Sequence, residues 1–327
     1  MPISFTFGGK RTRGLPAEWK PTSRKRRVDA TLVETVFKGR EPKSGLSVRV
    51  ECLEYADFPA VEWTAWFTHT GRKPTPVLEN VLGLDGTFEG ADPVLWHCNG
   101  DFSNEAGYTP KETPLKPGKP LRFAPAGGRP CDRAFPYYRI MFKGCGLTLA
   151  IGWPGQWRAE FRRTAGGVRV RAGQELTHLR LLPGETLRTP RMTLLSWTGD
   201  SARSVNLWRR WYRAHLLPRP AGQPLEPHLI GLCADAGEEM TGTTEENQIR
   251  YQKKYRELGI PYDVWWIDAG WYSCRDEKGV SRWKHVGTWE PDPARFPNGL
   301  KPVSEAATAN GADLLIWFEP ERVHETS

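Results

Sequence analysis

Four acids follow apolar runs in the last hundred residues of this chain. Asp235 closes the run 228–234, Asp268 closes 264–267, and Glu319 and Glu321 follow 312–318. A carboxylate accepts hydrogen bonds from hydroxyl groups more strongly than a neutral oxygen does. Two tryptophans stand among these acids, Trp271 just past Asp268 and Trp317 just before Glu319. Indole faces cover the apolar C–H face of a sugar ring, so acids and indoles together suit a pyranose. Cleaving a glycosidic bond needs two carboxyl groups across it, about 5–5.5 Å apart for retention and wider for inversion. Taken singly, each acid also reads as a helix cap or a solvated loop residue, and Asp268 as the turn residue of a buried strand. Four at equivalent positions make separate explanations less economical.

The elements that must carry these acids can be read next. Val264 to Ile267 is apolar without polar alternation, as in a parallel strand buried on both faces. Before it, Thr243 or Thr244 can cap a helix, with Thr243 and Glu246 offering a capping box, and the helix runs to Leu258, where Gly259 stops it. A second helix is expected over 301–310, stopped by Gly311. The order βαβαβ implies parallel strands with right-handed crossovers. A doubly wound nucleotide fold would want a glycine-rich turn after its first strand. Residues 235–239, Asp-Ala-Gly-Glu-Glu, supply one glycine and three acids, which would repel phosphate. A barrel with an acidic mouth fits better, because barrel strands present their C-terminal ends to the substrate.

Residues 1–200 read differently. Short alternating runs at 3–7, 31–37, 46–52, 61–67, 137–142, 147–152, 157–162, 167–172, 177–182 and 191–197 are separated by turn residues, which argues for a β-sandwich. The stretch 95–102, Leu-Trp-His-Cys-Asn-Gly-Asp-Phe, reads as a surface turn. It is either an ordinary Asn-Gly-Asp turn or a loop that carries Asp101 towards a neighbouring cleft. Residues 201–215 have helical spacing, and Pro218, Pro220 and Pro224 follow. The expected domains are a sandwich over 1–200, a linker helix and Pro-rich linker over 201–226, and an α/β domain over 227–327.

Composition narrows the class. The 327 residues are 39% hydrophobic and 26% charged, ordinary values for a globular protein, but fifteen are Trp. The net charge of +8 is local: residues 1–30 hold eight basic residues against two acids. Arg24 to Arg27 could form an anion or nucleic-acid patch, but a solvated loop is the simpler reading. No apolar run is long enough for a membrane span. The six cysteines show neither a C-x-x-C pair nor a zinc spacing, so they are expected to be free thiols in a reducing, cytoplasmic setting.

Four segments in order resemble glycoside hydrolase family 36, the melibiase or α-galactosidase family. They are Trp266-Ile267-Asp268-Ala269-Gly270-Trp271-Tyr272, Gly287-Thr288-Trp289, Phe296-Pro297-Asn298-Gly299-Leu300 and Trp317-Phe318-Glu319-Pro320-Glu321. In the first half, Phe58-Pro59-Ala60-Val61-Glu62-Trp63, Asn99-Gly100-Asp101-Phe102 and Gly152-Trp153-Pro154-Gly155-Gln156-Trp157 also look like that family. The resemblance implies a β-supersandwich followed by the first three strands of a (β/α)8 barrel. It implies a retaining hydrolase of terminal α-linked galactose in oligosaccharides, with neither metal nor organic cofactor. Asp268, Trp317, Trp271, Glu319, Glu321 and Asp101 are the substrate-binding candidates. Asp268 matches the first acid of a family pair; Ala269 replaces the second, which leaves N-acetylgalactosamine or another α-hexoside open. The family carries its nucleophile and its acid/base on later strands. The expectation is therefore that both catalytic carboxylates lie beyond Ser327, that the isolated chain is inactive, and that it associates or is poorly soluble. A carbohydrate-binding sandwich without catalysis is the alternative of another class. No nucleic acid or membrane partner is expected, and the full-length enzyme could be a homo-oligomer.

Overall fold

The structure is a computed structural model. It describes residues 1–101, 104–126, 129–232, 242–280, 285–320 and 322–325. The chain divides into two compact units, Met1–Leu217 and Pro218–Ser327.

The first unit is almost entirely antiparallel β-structure. Its strands are Ser4–Phe7 (β1), Lys10–Arg13 (β2), Thr22–Arg27 (β3), Leu32–Arg40 (β4), Leu46–Tyr55 (β5), Ala60–His69 (β6), Leu78–Glu89 (β7), Val94–Cys98 (β8), Pro110–Pro114 (β9), Leu121–Phe123 (β10), Tyr137–Phe142 (β11), Cys145–Gly152 (β12), Trp157–Arg163 (β13), Gly167–Gln174 (β14), His178–Leu179 (β15), Thr186–Arg188 (β16) and Arg191–Thr198 (β17). One sheet runs β10-β13-β14-β7-β1-β2, with β15 also against β7. The other runs β3-β4-β5-β6-β17-β12-β11-β8-β9, with β16 also against β6.

Period-two alternation decides how the sheets meet. Val48 and Val50 of β5 and Ile140 of β11 point inward from the larger sheet; Ile3, Phe5 and Phe161 come from the smaller sheet's side, and all are buried in one core. Phe5 meets Phe67 edge-on at 5.0 Å, and Tyr138 lies 4.7 Å from Phe161, so rings from both sheets interlock. Helix Ser201–His215 (α1) is capped by Asp200, whose Oδ1 accepts from Arg203 N at 2.8 Å. The sequence reading puts this helix in the linker. It packs instead on the outer face of the larger sheet, where Trp211 is fully buried with Ala60, Leu195 and Trp197. Removing so large a buried ring typically costs about 3–5 kcal/mol, enough to make the helix integral to this unit.

Two segments of the first unit differ from their sequence reading. Arg24 to Arg27 are not a loop; they form most of β3, the edge strand of the larger sheet, with every residue exposed. Leu95 to Cys98 belong to β8, and the turn begins only at Asn99. Phe102 lies outside the described residues.

The second unit has three parallel strands, Ile230–Leu232 (β18), Val264–Ile267 (β19) and Asp313–Ile316 (β20), in that order. Helices Glu245–Glu257 (α2) and Lys301–Ala309 (α3) alternate with them. Of the two caps the sequence offers, Thr244 is the one used; it exchanges side-chain-to-backbone bonds with Asn247, so the box is not Thr243 with Glu246. Gly259 and Gly311, at φ +65° and +75°, end the helices as the sequence suggests. The mostly polar α2 packs because its buried amides are satisfied. Gln248 accepts from Trp265 Nε1 at 2.8 Å, and Gln252 bonds Val303 O and Tyr262 Oη. Among the described residues no helix is long and apolar enough to cross a membrane.

Candidate active site

The ends of β19 and β20 build the described part of the site. In the β19–β20 ladder Ile267 pairs with Ile316, and Trp317 N donates to Ile267 O at 3.1 Å. The next residues along are Asp268 and Trp317, so register makes them neighbours on one rim. Successive strand side chains alternate faces. Trp265 and Ile267 are fully buried in the core with Val303 and Ala307 of α3. Trp266 therefore faces the other way, as do Asp268 and Trp317. The ring contact agrees: Trp266 and Trp317 stack at 5.5 Å with planes 28° apart. Asp268 is half-buried, and its Oδ1 accepts from Ala269 N at 2.6 Å. Its Oδ2 has no protein partner among the described residues, leaving an acceptor beside two indoles.

An acid and an arginine absent from the sequence candidates hold the loop after Asp268. Asp292 is fully buried, paired with Arg275 through both carboxylate oxygens at 3.1 Å, and 3.6 Å from Arg295. It also accepts from Ala294 N at 3.0 Å. Burial alone would raise its pKa; the Arg275 bonds and the Arg295 charge outweigh that and hold it below the usual carboxylate value. Arg295 in turn donates to Gly270 O and, at 2.8 Å, to Tyr272 O. These bonds fix the backbone that carries Asp268 into the loop. The i, i+3 spacing of Asp292 and Arg295 after Pro291 was the available signal, but nothing in it points to this loop.

The loop corrects one expectation. Trp271 is only 2% exposed and offers no face to a sugar. It is clamped between Tyr272 and Phe318, at 5.3 and 5.2 Å, and its Nε1 donates to Trp317 O at 2.8 Å. Gly270 turns the chain at φ +99°, which aims the indole inward. The exposed-side indole missed by the sequence reading is Trp266; strict alternation with Trp265 would have revealed it. Ala269 also packs in the core, with Trp271 and Tyr272.

Glu319 is 8% exposed; its Oε1 pairs with Arg322 Nε at 2.9 Å, and its Oε2 is buried without a hydrogen-bond partner. The Tyr272 hydroxyl is likewise buried and unpartnered, and burial first, then the Glu319 charge, push its pKa up. Asp235 and Glu321 lie outside the described residues. Asp101 belongs to the first unit, where its Oδ2 pairs with Arg129 at 3.1 Å. Thus Asp268 and Trp317 come together, Trp271 supports Trp317 through its carbonyl, and Glu319 is held by Arg322. Among the described residues no group of three or more His, Cys, Asp or Glu is placed to hold a metal ion.

Residues 209–327, which contain this rim, match the Melibiase family model. The fold of the chain is also that of α-galactosidase AgaA from Geobacillus stearothermophilus, a family 36 structure, with TM-score 0.73 and 18% identity over 98% of this chain and 46% of that one. The family model and the curated relatives together support a family 36 assignment. Among curated relatives, it is 34% identical over 161 residues to a probable alpha-galactosidase G of Aspergillus terreus, covering 45% of this chain and 20% of the relative. It is 27% identical over 300 residues to alpha-galactosidase C of Emericella nidulans, covering 84% of this chain and 38% of the relative. The chain thus spans well under half the length of these family members. Variants of AgaA have been solved in complex with stachyose and with raffinose.

Proposed function

We propose that this chain is part of a retaining α-galactosidase-like glycoside hydrolase acting on terminal α-linked galactose in oligosaccharides. In this reading the first unit, with α1 packed on its larger sheet, is a β-supersandwich, the Pro-rich residues 218–226 lead onward, and 227–327 are the first three strands of a (β/α)8 barrel. Asp268 accepts hydrogen bonds from sugar hydroxyls, and the Trp266–Trp317 pair covers an apolar ring face. Glu319, which follows β20, is the further polar candidate in this reading. Trp271 positions Trp317 through its carbonyl. The catalytic nucleophile and acid/base are not among these residues. What carries the reading is one observation: a carboxylate with a free oxygen and a stacked indole pair share one face at adjacent parallel strand ends. The free thiols Cys52, Cys98, Cys131 and Cys145 support a reducing, cytoplasmic setting.

The test compares the 327-residue chain with the longest product of its locus on aryl α-galactoside and aryl α-N-acetylgalactosaminide. The longer, folded product should hydrolyse the galactoside; the chain alone should not. Turnover of only the acetamido sugar would reassign the substrate, with Ala269 the residue to revert. No turnover of either sugar would remove the enzyme reading.

A further inference from the structure

A cleft on the outer face of the larger sheet has no part in the sugar site. It lies within the first unit, between α1 and strands β8, β11 and β12, and encloses ≈ 620 Å³. Register sets Trp96, Arg139 and Thr148 in one row across the three strands. Above them α1 contributes Ser204 and Trp208. Phe135 stacks on Tyr137 at 4.9 Å, and Trp208 meets Tyr137 edge-on at 5.7 Å.

Arg139 is the charge in this cleft. Its guanidinium lies 4.3 Å over the Trp96 ring. Its Nη1 donates to Ser201 Oγ at 2.6 Å and to Ser204 Oγ at 3.2 Å. Nη2 and Nε have no protein partner among the described residues, and no carboxylate there is within ion-pair distance. Burial lowers the Arg139 pKa, with the more distant Glu112 charge opposing it. Helix α1 adds four arginines and no acid to the surroundings. Thr148 is 6% exposed, and its Oγ1 is buried without a hydrogen-bond partner. A partly buried cation without a counter-charge is costly, as is an unpaired buried hydroxyl. Both unsatisfied groups open onto one aromatic-walled space of a size that small ligands fill.

We propose that this cleft binds a small planar monocarboxylate of the arene-carboxylate class. The aromatic ring lies among Tyr137, Phe135 and Trp208, and the carboxylate pairs with the guanidinium of Arg139, with Thr148 donating to it. A neutral sugar would leave the cation uncompensated. The site stands on the first unit alone, so its failure and that of the galactosidase reading are separable.

The experiment titrates the 327-residue chain with trans-cinnamate and indole-3-acetate by calorimetry. One saturable site is expected. Cinnamyl alcohol, which lacks the charge, should bind at least about tenfold more weakly. Arg139→Gln should weaken cinnamate binding by about tenfold to a hundredfold, with Arg139→Lys in between. Val205→Trp, at a half-exposed wall position, should block the cleft while leaving the circular dichroism spectrum unchanged; it serves if Arg139→Gln does not fold. Absence of saturable binding, equal affinity for the alcohol, unchanged affinity in a folded Val205→Trp variant, or stronger binding of free galactose would each overturn the proposal.

Discussion

Trp266 and Trp317 stack across adjacent parallel strands, their ring centroids 5.5 Å apart and their planes 28° apart. Stacked aromatic pairs contribute roughly 0.5–1.5 kcal/mol beyond the area they bury. A double-mutant cycle with Trp266→Ala and Trp317→Ala should therefore return a coupling of about that size in unfolding free energy, read from urea transitions. Strictly additive losses would mean the two rings do not hold one another.

Among the described residues Asp268 bonds only its neighbour's amide. Asp268→Ala should change stability by less than about 0.5 kcal/mol. In an active enzyme containing this chain, losing a charged acceptor for sugar hydroxyls should lower kcat/KM by roughly ten- to a hundredfold. Unchanged steady-state kinetics on aryl α-galactoside would remove Asp268 from the sugar site.

Asp292 is the buried anion between Arg275 and Arg295, so Asp292→Asn removes the counter-charge they share. Arg275 is partly solvated, which places the cost near the lower end of the range, about 3 kcal/mol at neutral pH. The pKa of Asp292 is lower folded than unfolded. Its stabilisation is therefore complete above the ordinary carboxylate pKa of about 3.9 and is lost as pH falls through the depressed folded value. The asparagine variant should show a shallower loss of stability below about pH 4 in a urea-midpoint series. Parallel acid limbs for the two proteins would contradict this account.

Gly231 of β18 faces the ring of Trp265; an added Cβ would sit 2.8 Å from Trp265 Cε3. Gly231→Ala should destabilise the second unit by about 1–3 kcal/mol through overpacking. A Trp265→Leu background should relieve most of that cost, and equal penalties in both backgrounds would place the strain elsewhere.

Burial, aided by Glu54, pushes the Cys52 thiol up to about 11. At pH 8 its thiolate fraction is on the order of one in a thousand. Mass-resolved alkylation with iodoacetamide should modify Cys52 only slowly in the native protein and readily after unfolding. Fast native modification would show that its surroundings open.

The elements of the second unit were legible because their signals are local. Gly259 and Gly311 end helices, and the apolar run at Val264 announces a strand. Helix 201–215 was equally plain from its spacing. What escaped was long-range. The strand Leu78–Glu89 carries Asn80, Gly83 and Gly86, which read as breakers until the sheet pairs them. Arg24 to Arg27 look solvated because they are, yet β4 holds them in a ladder from Thr22↔Lys38 to Arg27↔Val33. In the site, the acid at Asp268 could be singled out from its position alone. The burial of Trp271 and the grip of Arg295 on Gly270 and Tyr272 depend on contacts spanning more than twenty residues, which no pattern along the chain reports.

The exposed border strand β3 has a consequence for how molecules meet. Four of its six residues are basic and none is acidic. If two copies joined border to border, strands about 4.8 Å apart would bring these cations into register against each other. The larger sheet consequently stops at β3 and resists growth into a continuous intermolecular ribbon.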